Sequence, residues 1–139
     1  DFYPSWYSEE TRQAISAYAL HVRFLSGDRD VDKASRLYRD AGSDVGLDVA
    51  AWLWPVVADT ELDNEIELLL NNRVTETPNA ATFATSYAEQ DWVLLHSDKR
   101  TDAIVLDALI SQRPDNDLVL KTLNGLLAKK VALSCGLKI

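Results

Sequence analysis

The sequence predicts an all-α fold built from stacked helical hairpins, with a small β-hairpin insertion between residues 75 and 98. Three observations predict it. Apolar residues recur at helical spacing over most of the chain, as with Val119, Leu123, Leu126 and Leu127. Glycine, proline and acidic capping residues punctuate those stretches at Gly27, Gly42, Pro55 and Pro114. One interval, 75–98, lacks helical periodicity and is rich in Thr, Phe and Tyr.

Residues 1–7, DFYPSWY, are aromatic and broken by Pro4, and read as an irregular arm whose rings pack on the helices. Ser8 is suited to cap a first helix, with Glu9 and Glu10 in its first turn where the helix dipole favours negative charge. That helix runs to about Ser26, with Ile15, Tyr18, Ala19, Val22 and Leu25 as its expected buried stripe, and Gly27 ends it. Asp30 caps a second helix, about 31–41, with Ala34, Leu37 and Tyr38 inward and Gly42 at its end. The pair forms a helical hairpin.

A third helix, about 47–57, is almost uncharged and therefore expected to be buried. Pro55 removes a backbone donor and should kink it or end it early. Asp59 and Thr60 can cap a fourth helix reaching about Asn72, with Asp63 at the capping-box position. Leu62, Ile66, Leu69 and Leu70 face inward, while Glu61, Asp63, Glu65 and Glu67 face solvent. Within 75–98 the β-favouring stretches are 81–87 and 91–95, and an ordered long loop is the alternative to a hairpin.

Residues 101–130 read as two helices folded on each other. Ile104, Val105, Ala108 and Leu109 fill one side of the first, and Leu106 and Ile110 its other side, so it belongs inside a larger helical assembly. Pro114 stops it, and Asp115 can cap its successor. Residues 131–139 carry no strong pattern and read as a tail after a helical body at 8–130.

The segments 17–28, 50–61 and 105–116 can be laid on one another, each an apolar helix ending at an acidic turn before an amphipathic helix. A single hairpin of this size cannot bury its own apolar face, so neighbours must stack. Stacked hairpins form an open superhelix or close into a ring, and nearly all-apolar inner helices favour the ring.

With 139 residues, 47% of them hydrophobic, the chain is long enough for one domain with a real core. Its net charge of −8 disfavours nucleic acid and anionic membrane as partners. The lone Cys135 excludes an internal disulfide framework and a cysteine-cluster metal site. No apolar run approaches the roughly 18 residues of a membrane span. The chain starts at Asp1 without methionine or signal, so it is expected to be a piece of a longer protein whose targeting sequence lies upstream.

No residue is assigned a catalytic, cofactor-binding or metal-ligating role. His96, Ser97 and Asp98 are adjacent in sequence, which triads rarely are, and Ser97, Asp98 or Thr101 fits a helix cap. His21 has no partner at metal-ligand spacing. Glu9, Glu10, Glu61, Asp63, Glu65 and Glu67 lie on solvent faces, whereas glycoside chemistry needs a desolvated carboxyl group. Cys135 has Lys129, Lys130 and Lys138 nearby but falls in the tail, and reads as an incidental thiol.

The segments 7–30, 47–59 and 71–128, above all HSDKRTDAIVLDALI followed by PDNDLVLKTLNGLLA, resemble the thioester (complement-like) domain of bacterial alpha-2-macroglobulin-like proteins. The resemblance implies part of an α/α toroid in a broad-range, protease-trapping inhibitor of the periplasm or cell envelope. Its implied partners are other domains of the same large protein and target proteases. The family's Gly-Cys-x-Glu-Gln thioester motif is absent: Cys135 is followed by Gly136, Leu137 and Lys138. Trp52, Trp54, Trp92, Tyr18 and Phe83 could pack around such a bond, but plain core filling is the favoured reading of these residues. The alternatives are a toroid enzyme of glycosidase or cyclase type and a helical-repeat adaptor that binds a peptide.

Overall fold

Helix formation follows the capping residues closely. A computed structural model describes residues 4–83 and 98–134, with side chains for 4–83 and 99–128. Its elements are α1 (Glu9–Leu25), α2 (Val31–Ala41), a 3-10 turn (Gly42–Asp44), α3 (Leu47–Leu53), α4 (Glu61–Arg73), β1 (Thr75–Glu76), β2 (Ala81–Thr82), α5 (Asp98–Gln112) and α6 (Asp117–Ser134). Among the described residues the fold is therefore almost wholly helical.

Ser8 Oγ accepts from the Thr11 N–H at 3.1 Å, Asp30 from Lys33 and Thr60 from Leu62, so three helix starts are capped by their own side chains. At the end of α1, the Asp28 N–H reaches Arg23 O and the Gly27 N–H reaches Phe24 O, each at 2.9 Å. This double closure needs a left-handed residue between them, and Gly27 supplies it at φ 94°. The cap of α6 is Asn116, whose Oδ1 accepts from Leu118 N–H at 2.9 Å, and not Asp115. Thr101 is no cap either; it lies fully buried inside α5.

Pro55 ends α3 early, at Leu53 rather than Val57. Proline has no N–H to offer Ala51, yet the chain keeps winding, because Val57 N–H still reaches Leu53 O at 3.1 Å. This tight passage keeps Trp54, Val56 and Val57 at 0% exposure.

The helices pair as α1–α2, α3–α4 and α5–α6, and α3 packs against α1 on one side and α5 on the other. Positions that the sequence repeat lays on one another share their burial. Ala14, Ala17 and Leu20 on α1 correspond to Leu47, Ala50 and Leu53 on α3 and to Asp102, Val105 and Ala108 on α5, and all nine are buried. The buried seam therefore recurs at three-residue steps in each first helix.

Two expected stripes are corrected by this packing. On α1, Tyr18, Val22 and Leu25 are 53%, 41% and 69% exposed, while Thr11, Ala14, Ala17 and Leu20 are buried. Small side chains on that face let α1 approach α3 closely. On α6 the buried residues are Leu118 and Thr122, and Leu123 and Leu127 are exposed. Helix α6 also continues to Ser134, four residues into the stretch read as a tail. In the arm, Trp6 is exposed and sets its ring edge-on to Tyr7, 4.5 Å between centroids, instead of entering the helical core.

The β-hairpin exists within 75–98, but its first strand, at 75–76, precedes the stretches 81–87 and 91–95, and its second is the start of 81–87. Thr75 pairs with Thr82 and Glu76 with Ala81, antiparallel. Residues 84–87 and 91–95 lie outside the described residues. Helix α6 carries the hairpin: Lys121 Nζ is 2.7 Å from Glu76 Oε2, and Asn124 Nδ2 donates to Asn79 O at 3.0 Å. Gly125 lies against Ala81, where an added Cβ would sit 2.8 Å from the Ala81 carbonyl oxygen.

Candidate functional site

The polar groups of this chain converge on the central helix α3 and the turn after it. Arg100, near the start of α5, donates from Nη1 to Asp48 Oδ2 at 3.1 Å and holds its guanidinium 5.2 Å from the Trp52 ring centroid. Asp48 is fully buried, and its other oxygen accepts from the Val49 N–H at 2.8 Å. Arg113, just past the end of α5, donates to Glu67 Oε2 at 2.8 Å and to Asp63 Oδ1 at 2.9 Å, and lies 5.5 Å from the Trp54 ring. Trp54 Nε1 completes that set by donating to Asp63 Oδ1 at 2.7 Å. Both ends of α5 are thus tied to the middle hairpin by an arginine that meets a carboxylate and an indole together.

Burial pushes the Asp63 carboxyl up, but hydrogen bonds from Trp54 and the Asp59 N–H, with the charge of Arg113, outweigh it. Its pKa therefore lies below the ordinary aspartate value. Asp63 does not close a capping box on Thr60: its Oδ2 takes the Asp59 N–H at 3.2 Å, and Asp59 sits at φ 66° to allow it.

Two further arginines tie hairpins through carbonyl oxygens. Arg29 donates to Val56 O at 2.8 Å and to Ala58 O at 2.5 Å, joining the α1–α2 turn to the α3–α4 turn. Arg73 donates to Val45 O and Ser43 O, each at 2.5 Å, joining the end of α4 to the connection before α3. A guanidinium fork suits such paired acceptors better than an ammonium would. Asp102, fully buried on α5, holds the exit of the β-hairpin: it accepts the Phe83 N–H at 2.6 Å and the Thr82 hydroxyl at 2.9 Å.

The residues weighed from sequence are distributed around this framework. His21 places Nδ1 3.0 Å from Trp52 O, a packing contact between α1 and α3. Glu9 and Glu10 are exposed in the first turn of α1, Glu65 is exposed on α4, and Glu61 pairs with Arg39. Asp63 and Glu67 do not face solvent as expected; Arg113 draws both into the α4–α5 seam, with side-chain exposures of 16% and 29%. Tyr18 and Trp52 meet at 5.1 Å between centroids, while Trp54 and Phe83 are buried in the core. His96, Ser97, Trp92, Cys135 and Lys138 lie outside the described residues, as do the side chains of Asp98, Lys129 and Lys130. Among the described residues no cluster of His, Cys, Asp and Glu has metal-binding geometry, and no helix is long and apolar enough to cross a membrane.

Sequence reasoning missed Arg29, Arg73, Arg100, Arg113, Asp48 and Asp102. Asp48 did carry a signal: it is a single acid within the otherwise apolar stretch 47–53, and a buried carboxylate requires a partner, whereas Asp102 follows Asp98, Lys99 and Arg100 and shares its helix with Asp107. Comparison of the chain with protein families, with characterised proteins and with solved structures finds no match.

Proposed function

We propose that this chain is a wall segment of an α/α toroid in a macroglobulin-like, protease-trapping protein of the cell envelope. It acts there as a structural and interaction domain. The observation that carries the reading is the arrangement of the three hairpins. Their first helices, α1, α3 and α5, form one layer with a shared three-residue burial pattern, and α3 lies between the other two. The flanking hairpins keep apolar residues in solvent: Val22 and Leu25 on α1, Ile110 on α5, Leu123 and Leu127 on α6. Helices with a second apolar face belong against further neighbours. The arginine ties suit a wall that must stay rigid while its surroundings move, since Arg29, Arg100 and Arg113 each hold two hairpins in one register.

The test uses the complete protein that carries this chain. Protease is added, and activity is read on a small chromogenic peptide and on casein. Trapping leaves peptide cleavage intact and abolishes casein cleavage, because a caged protease admits only small substrates. Charged substitutions at the edges, Leu25→Asp with Ile110→Asp, should then restore casein cleavage. Equal cleavage of both substrates by the protease, with or without the protein, overturns the proposal.

A further inference from the structure

Between α1 and α2 lies an open groove of about 500 Å³, within the range of small-molecule sites. Its lining is graded along its length. Arg23 and Lys33 stand towards the α1–α2 turn, Ala19, Leu20 and Leu37 form an apolar middle bordered by Arg36, and Ser16 and Asp40 lie at the far end. The grading follows from sequence. The two helices run antiparallel through a tight turn, so the end of α1 faces the start of α2, and Lys33, Arg36, Leu37 and Asp40 share one face at helical spacing.

The cations of the groove are not equivalent. Arg23 is engaged by Asp28 at 2.8 Å and by Asp30 at 3.4 Å. Among the described residues neither Lys33 nor Arg36 takes part in an ion pair, and Arg36 makes none with Asp40 four residues on. Two cations outside any ion pair thus stand beside an apolar floor. An anion there would gain charge-assisted hydrogen bonds, and an apolar body would cover Leu20 and Leu37.

We propose that the α1–α2 groove binds an organic carboxylate with an unbranched or extended apolar body, its carboxylate held by Lys33 and Arg36 and its body lying on Ala19, Leu20 and Leu37. Two sources share this chemistry: a free medium-chain carboxylic acid and the C-terminal carboxylate of an apolar peptide. The polar end at Asp40 disfavours a second negative charge on the ligand. The site is independent of the toroid reading, since it lies within one hairpin.

Calorimetric titration tests it, using octanoate, octanol, an apolar hexapeptide with a free C-terminus and the same peptide amidated. At least one acid should bind, about tenfold more tightly than its uncharged counterpart, as one lost charge-assisted contact implies. Which acid binds identifies the source. The double variant Lys33→Gln, Arg36→Gln should lose that difference while keeping the far-ultraviolet circular dichroism of the parent, because both side chains are exposed. A second variant, Ala19→Trp, fills the groove from an exposed position and should abolish binding with the cations intact. Failure of both acids to bind, equal binding of acid and uncharged partner, or unchanged binding by the double variant each overturns the proposal.

Discussion

Replacing Gly125 with alanine sets two known effects against each other. In the middle of a helix, alanine is more stable than glycine by about 0.5–1 kcal/mol, because glycine loses more backbone freedom on folding. Helix α6 is 18 residues long and Gly125 lies well inside it, so propensity alone predicts a gain. The packing predicts the reverse. A Cβ at this position would stand 2.8 Å from the Ala81 carbonyl oxygen, closer than real Cβ contacts occur. The obstacle is backbone of a paired strand and cannot swing aside as a side-chain tip could. Overpacking of this kind costs about 1–3 kcal/mol. The larger effect wins, so Gly125→Ala should destabilise the chain by about 0.5–2 kcal/mol, a fall in melting temperature of about 4 °C per kcal/mol. Urea unfolding followed by circular dichroism measures this. Hydrogen exchange supplies the local readout: the Thr77 N–H, bonded to Ala80 O at 2.8 Å, should lose protection as the hairpin lifts from α6. A variant that is about 1 kcal/mol more stable, with Thr77 protection unchanged, would refute the reasoning.

Other sites test the remaining ties. Asp102→Ala strands the buried Phe83 N–H and should cost about 2–4 kcal/mol in urea unfolding, whereas Asp102→Asn keeps an acceptor and should cost about 1 kcal/mol. Arg113→Met removes both carboxylate contacts at a partly exposed site, so its cost should lie between surface and buried pairs, about 1–3 kcal/mol. The same site predicts a pH dependence. Because the Asp63 pKa is lowered by folding, its contribution is present above the unfolded value of about 4 and lost as pH falls through the folded one. Unfolding curves between neutral pH and pH 3 should therefore show less acid sensitivity in Arg113→Met than in the parent.

The legible parts of this fold are those that local chemistry decides. The bounds of α2 follow from Asp30 and Gly42, and the early end of α3 follows from the missing N–H of Pro55. The illegible parts are decided between elements. Nothing local distinguishes Asp115 from Asn116 as the cap of α6, and Arg100 and Arg113 read as ordinary surface cations until α5 is laid against α3. The hairpin at 75–82 is too short to show strand alternation, and its place is set by Gly125, Asn124 and Lys121, more than forty residues away in sequence.

The misread stripes on α1 and α6 have a common physical origin. Hydropathy ranks a helix face by the size of its apolar side chains, so Ile15, Tyr18, Val22 and Leu25 outrank Thr11, Ala14 and Ala17. Burial against α3 instead selects the small residues, because they permit the closest approach of two backbones. On α6 the same preference selects Thr122 and Gly125 over Leu123 and Leu127. Each of these helices consequently has two apolar faces, one of small residues used inside the three hairpins and one of large residues left in solvent. Among Tyr18, Val22, Leu25, Leu123 and Leu127, Leu25 at 69% exposure and Leu127 at 50% are the most exposed on α1 and α6. On the toroid proposed above, the large residues would form the seam to a further hairpin on either side. On that account the periodicity marks the face that packs between segments, and the small-residue steps mark the face that packs within this one.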